Sequence, residues 1–274
     1  MAGFFGFFDY TKPGKGVEKE DYVPNISSYF NVLFGRLSKL ITLNLIYALC
    51  LIPVVAVFIL FMPFGTETDE EVISMYLFLT GAIMYLSVVG FVPFTAGFHY
   101  VLRNFARNDH AWVSSDFFAH TKKNLRQTLP LLAIDTAVSL VLPYLFRFYS
   151  TIMNTESGAL GTVSFLALTL LVIAGAIYYM MHFYIFQMIV TFDLKLKYIL
   201  KNSFVLTMGH LPRSIGVFAL VVLISGLIAS TFEIAIIIAA VIGISLIGYT
   251  VVFITNPVIQ RRMMDRVDED SAEG

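Results

Sequence analysis

The sequence predicts an all-α fold: a polytopic membrane bundle of six transmembrane helices, arranged as three hairpins, each preceded by a basic amphipathic helix at the membrane interface. Three observations lead there. The 274 residues are 58% hydrophobic and only 14% charged, with a mean hydropathy of +0.79, against roughly 45–50% apolar and 25% charged residues in soluble domains. Apolar runs long enough to cross a bilayer recur along the chain. Lys and Arg fall almost entirely in alternate connections between those runs.

Residues 1–24 read as a tail, with the aromatic cluster Phe4, Phe5, Phe7 and Phe8 followed by Pro13, Gly14 and Gly16. Its aromatics precede its lysines, the reverse of signal-peptide order, so insertion is expected to rely on the later spans. From Asn25, a suitable helix cap, Ile26, Tyr29, Phe30, Leu33, Phe34 and Leu37 recur at three- and four-residue spacing. This amphipathic helix is expected to run unbroken into a first span at about 40–62, which carries Asn44 and Pro53. An acidic loop, Phe64–Glu71, leads to a long second span at about 72–100, bent near Pro93.

Ser114 or Ser115 with Asp116 marks the start of a second basic helix, which includes Lys122, Lys123 and Arg126 and feeds a third span at about 129–148. A polar connection over Ser150–Gly158 precedes a fourth, over-long span at about 160–190. A third basic helix around Lys195–Phe204 leads to spans at about 215–231 and 234–256, divided at Glu233. The membrane domain is thus 25–258, and 259–274 is a charged tail. Leu129–Pro130 and Leu211–Pro212 suggest that the second and third units are paired copies in a weak threefold repeat.

Counted by segment, Arg147 is the only Lys or Arg between the first span and the last that falls outside the two long internal loops. The positive-inside rule therefore places both termini and those loops in the cytoplasm, and six spans satisfy that placement. Basic faces there suit anionic inner-leaflet lipids at about 1 kcal/mol per residue. The near balance of 18 basic and 19 acidic residues gives no reason to expect a nucleic-acid partner. Cys50 is the only cysteine, so no internal disulfide is possible.

Asp135 is the anomaly, a carboxylate inside the third span, where ionised groups cost about 2.5–3.5 kcal/mol on insertion scales. His182 of the fourth span falls at similar depth by helical rise. One reading pairs the two into a polar site for a proton or small solute, with Asn44 and Gln187 as further polar candidates. The alternative has Asp135 protonated or bonded to a tyrosine or Asn44, and His182 bonded to a nearby carbonyl. Ala235, Ala239 and Gly243, at four-residue spacing, form a candidate helix-packing stripe.

GFFDYTKPGKGVEKE, FGRLSKLITLNLIYALCLIP, SSDFFAHTKKNLRQTLP, MIVTFDLKLKYILKNSFVLTMGHLPRS and ITNPVIQRR together resemble the YesL family of bacterial membrane proteins, in particular its clostridial branch. The resemblance implies a multi-pass protein of the bacterial plasma membrane, encoded near sugar-uptake systems, without an established activity. It carries over no catalytic residues. No phosphate-binding loop, His-Glu-x-x-His, Cys pair or nucleophile elbow occurs, so neither an enzyme nor a cofactor is expected. The leading expectation is an accessory or scaffold protein of carbohydrate uptake, partnered by a sugar ABC transporter permease. The alternative is a small-solute transporter or channel with its site in the inner half of the bundle.

Overall fold

The computed structural model describes residues 25–62 and 69–264, which are helical almost throughout, with no strand among them. Six helical stretches are long and apolar enough to cross a membrane: Leu37–Leu60, Glu70–Val88, Leu125–Thr155, Ala159–Thr191, Leu211–Ala229 and Phe232–Arg262. The expectations for the N-terminal tail, most of the acidic loop and most of the C-terminal tail lie outside the described residues.

The first helix, α1 (Ile26–Gly35), starts at Asn25, whose side chain accepts from the Ser28 amide while the Ser28 hydroxyl accepts from the Asn25 amide, a reciprocal cap. It does not run unbroken into the first span. Arg36, at φ −118° and ψ 17°, interrupts the helix for one residue before α2 (Leu37–Leu60). The same elbow recurs at Asn124 (φ −98°, ψ 5°), between α5 (Val113–Lys123) and α6 (Leu125–Thr155). It recurs again at His210 (φ −126°, ψ 38°), between α8 (Leu196–Gly209) and α9 (Leu211–Ala229).

A leucine follows each elbow, and burial then repeats in step. Leu40, Thr128 and Ser214 are buried at the fourth residue after the elbow; Leu43, Leu131 and Val217 at the seventh; Tyr47, Asp135 and Val221 at the eleventh. Spacings of four, three and four keep one helical face turned inward. The elbows, rather than the Leu–Pro dipeptides, set this register. Pro212 is the second residue of α9, whereas Pro130 is the sixth of α6.

The expected second span is two helices, α3 (Asp69–Val88) and α4 (Val92–Ala106). The break falls at Gly90, not Pro93. Gly90 adopts φ +60°, where a side chain is disfavoured, and a Cβ there would collide with the Tyr47 hydroxyl. Pro93 lies in the first turn of α4, where its missing N–H leaves no gap.

The third span continues past Arg147 to Thr155, so the link to α7 (Ala159–Thr191) shrinks to Glu156–Gly158. Residues read as a polar loop are helical because the hydroxyls of Ser150 and Thr151 bond back to the Arg147 carbonyl, answering their polarity within the helix. After α9 the chain turns at Ser230–Thr231 and enters a 3₁₀ turn, Phe232–Ile234, so the expected division at Glu233 coincides with an observed turn. The last span then comprises α10 (Ala235–Ile238), a π-turn at Ala239–Gly243 and α11 (Ile244–Ile259).

Helix α4 forms the centre, packing on α5, α7 and α11, with the inner end of α7 buried from His182 to Ile189. Gly97 permits the close approach of α4 to α5, because a Cβ there would strike the Phe117 carbonyl. The strongest partner of α3 is α9, and that of α2 is the π-turn of the last span. Between α2 and α3 lies an apolar cleft of about 340 Å³, which Ala239 and Ile244 also line. The long hairpin of α6 and α7 projects from this body, and its membrane-length windows are only 11% and 6% buried.

Candidate functional site

Asp135 is turned inward by the register that the Asn124 elbow imposes on α6. Across from it, α7 presents Tyr178 and His182, four residues apart and hence on one helical face. The Tyr178 hydroxyl donates to Asp135 Oδ1, and His182 Nε2 lies 3.2 Å from the same oxygen. His182 Nδ1 lies 3.0 Å from the Tyr178 carbonyl oxygen. Asp135 and His182 are 2% and 0% exposed.

The contacts constrain the protons. A carbonyl oxygen only accepts, so the Nδ1 contact requires a proton on Nδ1. Nε2 then either carries a second proton toward a carboxylate or accepts one from a protonated Asp135. Both arrangements hold the same number of protons and leave the pair neutral overall, which limits the cost of burying it away from water. Asp135 Oδ2 is buried with no partner among the described residues. The arrangement is therefore a proton-holding triad of a buried carboxyl, a buried imidazole and a half-buried phenol.

The other amide candidates lie elsewhere. Asn44 donates to the carbonyls of Ala239 and Ala240 and accepts from the Ser245 amide. A π-turn displaces the regular helical ladder and exposes backbone groups, and Asn44 answers them from the neighbouring helix. Its role is to hold the last span in shape. Gln187 donates to the Phe183 carbonyl and to Thr255 Oγ1, both at 2.6 Å, and accepts from Asn256. Asn256 in turn accepts from Arg107 Nε at 3.1 Å, so this network ties α4, α7 and α11 at the basic end. Ala235, Ala239 and Gly243 are all buried, and a Cβ at Gly243 would press on Ile228 of α9.

Two residues that sequence reasoning did not single out belong to the site, one within the triad and one beside it. Tyr178 is visible in retrospect as the residue one turn before His182. His99 of α4 is 1% exposed, and neither of its ring nitrogens has a partner among the described residues. Its ring stacks on Phe186 with centroids 5.2 Å apart, and the same phenyl ring meets His182 at 5.9 Å. No periodicity signal marks a histidine that owes its position to a helix break at Gly90.

One turn beyond His99, Arg103 donates to the Val190 carbonyl at 2.8 Å and to Thr191 Oγ1 at 2.9 Å, capping the end of α7. Burial, reinforced by nearby Arg107, draws the Arg103 guanidinium down to about 10. Beside it His120 stacks on Tyr100 with centroids 3.3 Å apart. Burial first, then Lys123 and Arg103, lower the His120 pKa against the opposing pull of Asp116. Among the described residues no group of three or more His, Cys, Asp or Glu side chains is placed to hold a metal ion.

Residues 72–144 match the model of a family described as a protein of unknown function, DUF624. The matched segment runs from α3 into α6 and contains Gly90, His99 and Asp135, while Tyr178 and His182 lie beyond it. No curated protein and no solved structure matches the chain.

Proposed function

We propose that the chain is a YesL-type protein of the bacterial plasma membrane, with both termini cytoplasmic, that serves as an accessory subunit of a carbohydrate-uptake system. One observation carries this reading: the outer part of the α6–α7 hairpin stands clear of the body. Leu140, Tyr144, Val163, Phe165, Leu166 and Leu170 are exposed on it. A membrane-embedded arm with apolar surface on several sides suits the transmembrane helices of a sugar permease, because packing between helices, not hydrophobicity, drives such association. The family resemblance and the basic residues of α5 and α8, which suit anionic inner-leaflet lipids, support the same reading.

Photo-crosslinking residues placed at Leu140 and Leu170 in the native membrane test it. Adducts with the permease subunit of a sugar transporter are expected; adducts with lipid alone would reject the reading.

A second reading is favoured by the contact of Asp135 with Tyr178 and His182: a transporter or channel that handles a proton or small polar solute at this triad. Asp135→Asn then abolishes flux in proteoliposomes while the protein remains folded. Flux equal to that of the parent protein would eliminate the site.

A further inference from the structure

The second reading leaves the solute unspecified, and His99 bears on what it is. Its two ring nitrogens are buried and unmet, whereas His182, Gln187, Asn44 and Asn256 nearby or in the adjoining helices are each bonded at both ends. A neutral imidazole offers one donor and one acceptor. Leaving either unmet in an interior forfeits a hydrogen bond that water would otherwise supply, so water is the natural partner for both. Among the described residues Asp135 Oδ2 is another buried polar atom without a partner, on α6, which packs against α4.

We propose that His99 is the second station of a proton relay that ends at the Asp135–His182 pair, so that the solute handled at the triad is the hydrated proton. This rests on the second reading above. The titratable groups run inward from the basic end of the bundle: half-buried His120 against Tyr100, then Arg103, then His99, then His182 and Asp135. Tyr178 and Tyr85 complete the surroundings of the carboxyl, with the Tyr85 hydroxyl 3.5 Å from Ser139 on α6. The Arg103 guanidinium, one turn from His99, has an Nε–H without a partner among the described residues, an additional buried donor for water.

The proton count balances without any further reactant than water. Hydronium gives a proton to the bare ring nitrogen of His99, and the proton on the other nitrogen leaves through water to Asp135 Oδ2. A ring flip restores His99 to its starting state. Asp135 becomes a neutral carboxylic acid, and the pair with imidazolium then carries one positive charge until either proton departs. The cleft of about 340 Å³ described above, between α2 and α3, is walled by apolar side chains and does not suit a polar solute.

The test uses the full-length protein in liposomes loaded with a pH-sensitive dye, with a valinomycin-clamped potassium potential driving protons inward. The parent protein is expected to conduct above protein-free vesicles, and Asp135→Asn to abolish conduction. His99→Phe, which keeps the stack on Phe186, and His99→Gln, which keeps hydrogen-bonding capacity without titration, are each expected to reduce it at least tenfold. Monodispersity and thermal unfolding of each variant establish that it is folded. Asp135-dependent conduction that survives both His99 variants would overturn the relay and leave the triad reading standing. A parent protein that passes no protons would overturn the relay, and uptake of another solute lost with Asp135→Asn would show that only the proton assignment had failed.

Discussion

Tyr47 and Asp135 occupy one and the same position of a repeated unit. Each lies on the inward face eleven residues beyond a one-residue elbow, Arg36 for the first and Asn124 for the second. Each meets polar groups on a later helix: Tyr47 shares a 2.6 Å hydrogen bond with Thr95 of α4, and Asp135 meets Tyr178 and His182 of α7. The third unit has Val221 there, buried and apolar. The carboxylate is thus a variation at a place where the fold already brings a first helix and a polar partner together.

Asp135→Val, which installs the residue of the third unit, leaves the Tyr178 hydroxyl and His182 Nε2 without their shared partner. A loss of about 1–3 kcal/mol per orphaned group is expected. Adding His182→Phe should return part of it, since removing both partners of a buried polar pair costs less than removing one. Unfolding in a mild detergent, run as a double-mutant cycle, measures the coupling; additive effects would show that the 3.2 Å contact carries no energy.

The α3–α4 break gives a second prediction. Gly90→Ala must both hold φ +60° and displace the Tyr47 hydroxyl, so it should be more damaging than Tyr47→Phe, which removes one hydrogen bond at about 1 kcal/mol. The combined variant, freed of the hydroxyl clash, should still be weaker than Tyr47→Phe alone because the dihedral penalty remains. Melting temperatures of the three proteins rank these effects.

Arg36 clamps the turn that follows α4. Its guanidinium donates to the Asp109 carbonyl at 2.6 Å and to the carbonyl and side chain of Asn108, which adopts φ +55°. Arg36→Ala should speed amide exchange across residues 107–112 by tenfold or more while α6 and α7 keep their protection. Unchanged exchange in that turn would show the clamp to be incidental.

His120 supplies a pH dependence whose sign is fixed. Its pKa in the folded protein lies below its ordinary 6.5, so the unfolded chain binds the proton more readily. The associated stability is present above about 6.5 and declines as pH falls toward the lowered value. Thermal unfolding between pH 7.5 and 5.5 should show a smaller decline for His120→Gln than for the parent protein.

The apolar runs made the membrane class and most span positions readable from sequence, because a helix that crosses hydrocarbon has little freedom in length or composition. Asn25, as a helix cap, was equally readable. The breaks were less so. Gly35 and Gly209 directly precede the elbows at Arg36 and His210, and Asn124 is itself a turn-prone residue, but the apolar periodicity continues past all three; tertiary packing decides that the helix breaks there. Gly90 needed the Tyr47 hydroxyl, 43 positions earlier in the chain, to become the obligatory break. At the site, depth along two helices suggested that Asp135 and His182 could meet, whereas Asn44 of α2 serves a π-turn that no hydropathy pattern reveals. His99 was invisible for a different reason: its significance lies in the partners its ring nitrogens lack among the described residues.

Asn44 also imposes an order on biogenesis. The backbone groups that answer its amide belong to residues synthesised about 200 positions later, by which time the ribosome has produced nearly the whole chain. Until that last segment is released into the bilayer, the first span carries an unanswered amide, and the nascent protein remains dependent on lipid, water or the insertion machinery to shelter it. A chain cut short before Ala239 would therefore fail at its beginning as well as at its end, and quality control has a polar mark by which to recognise it.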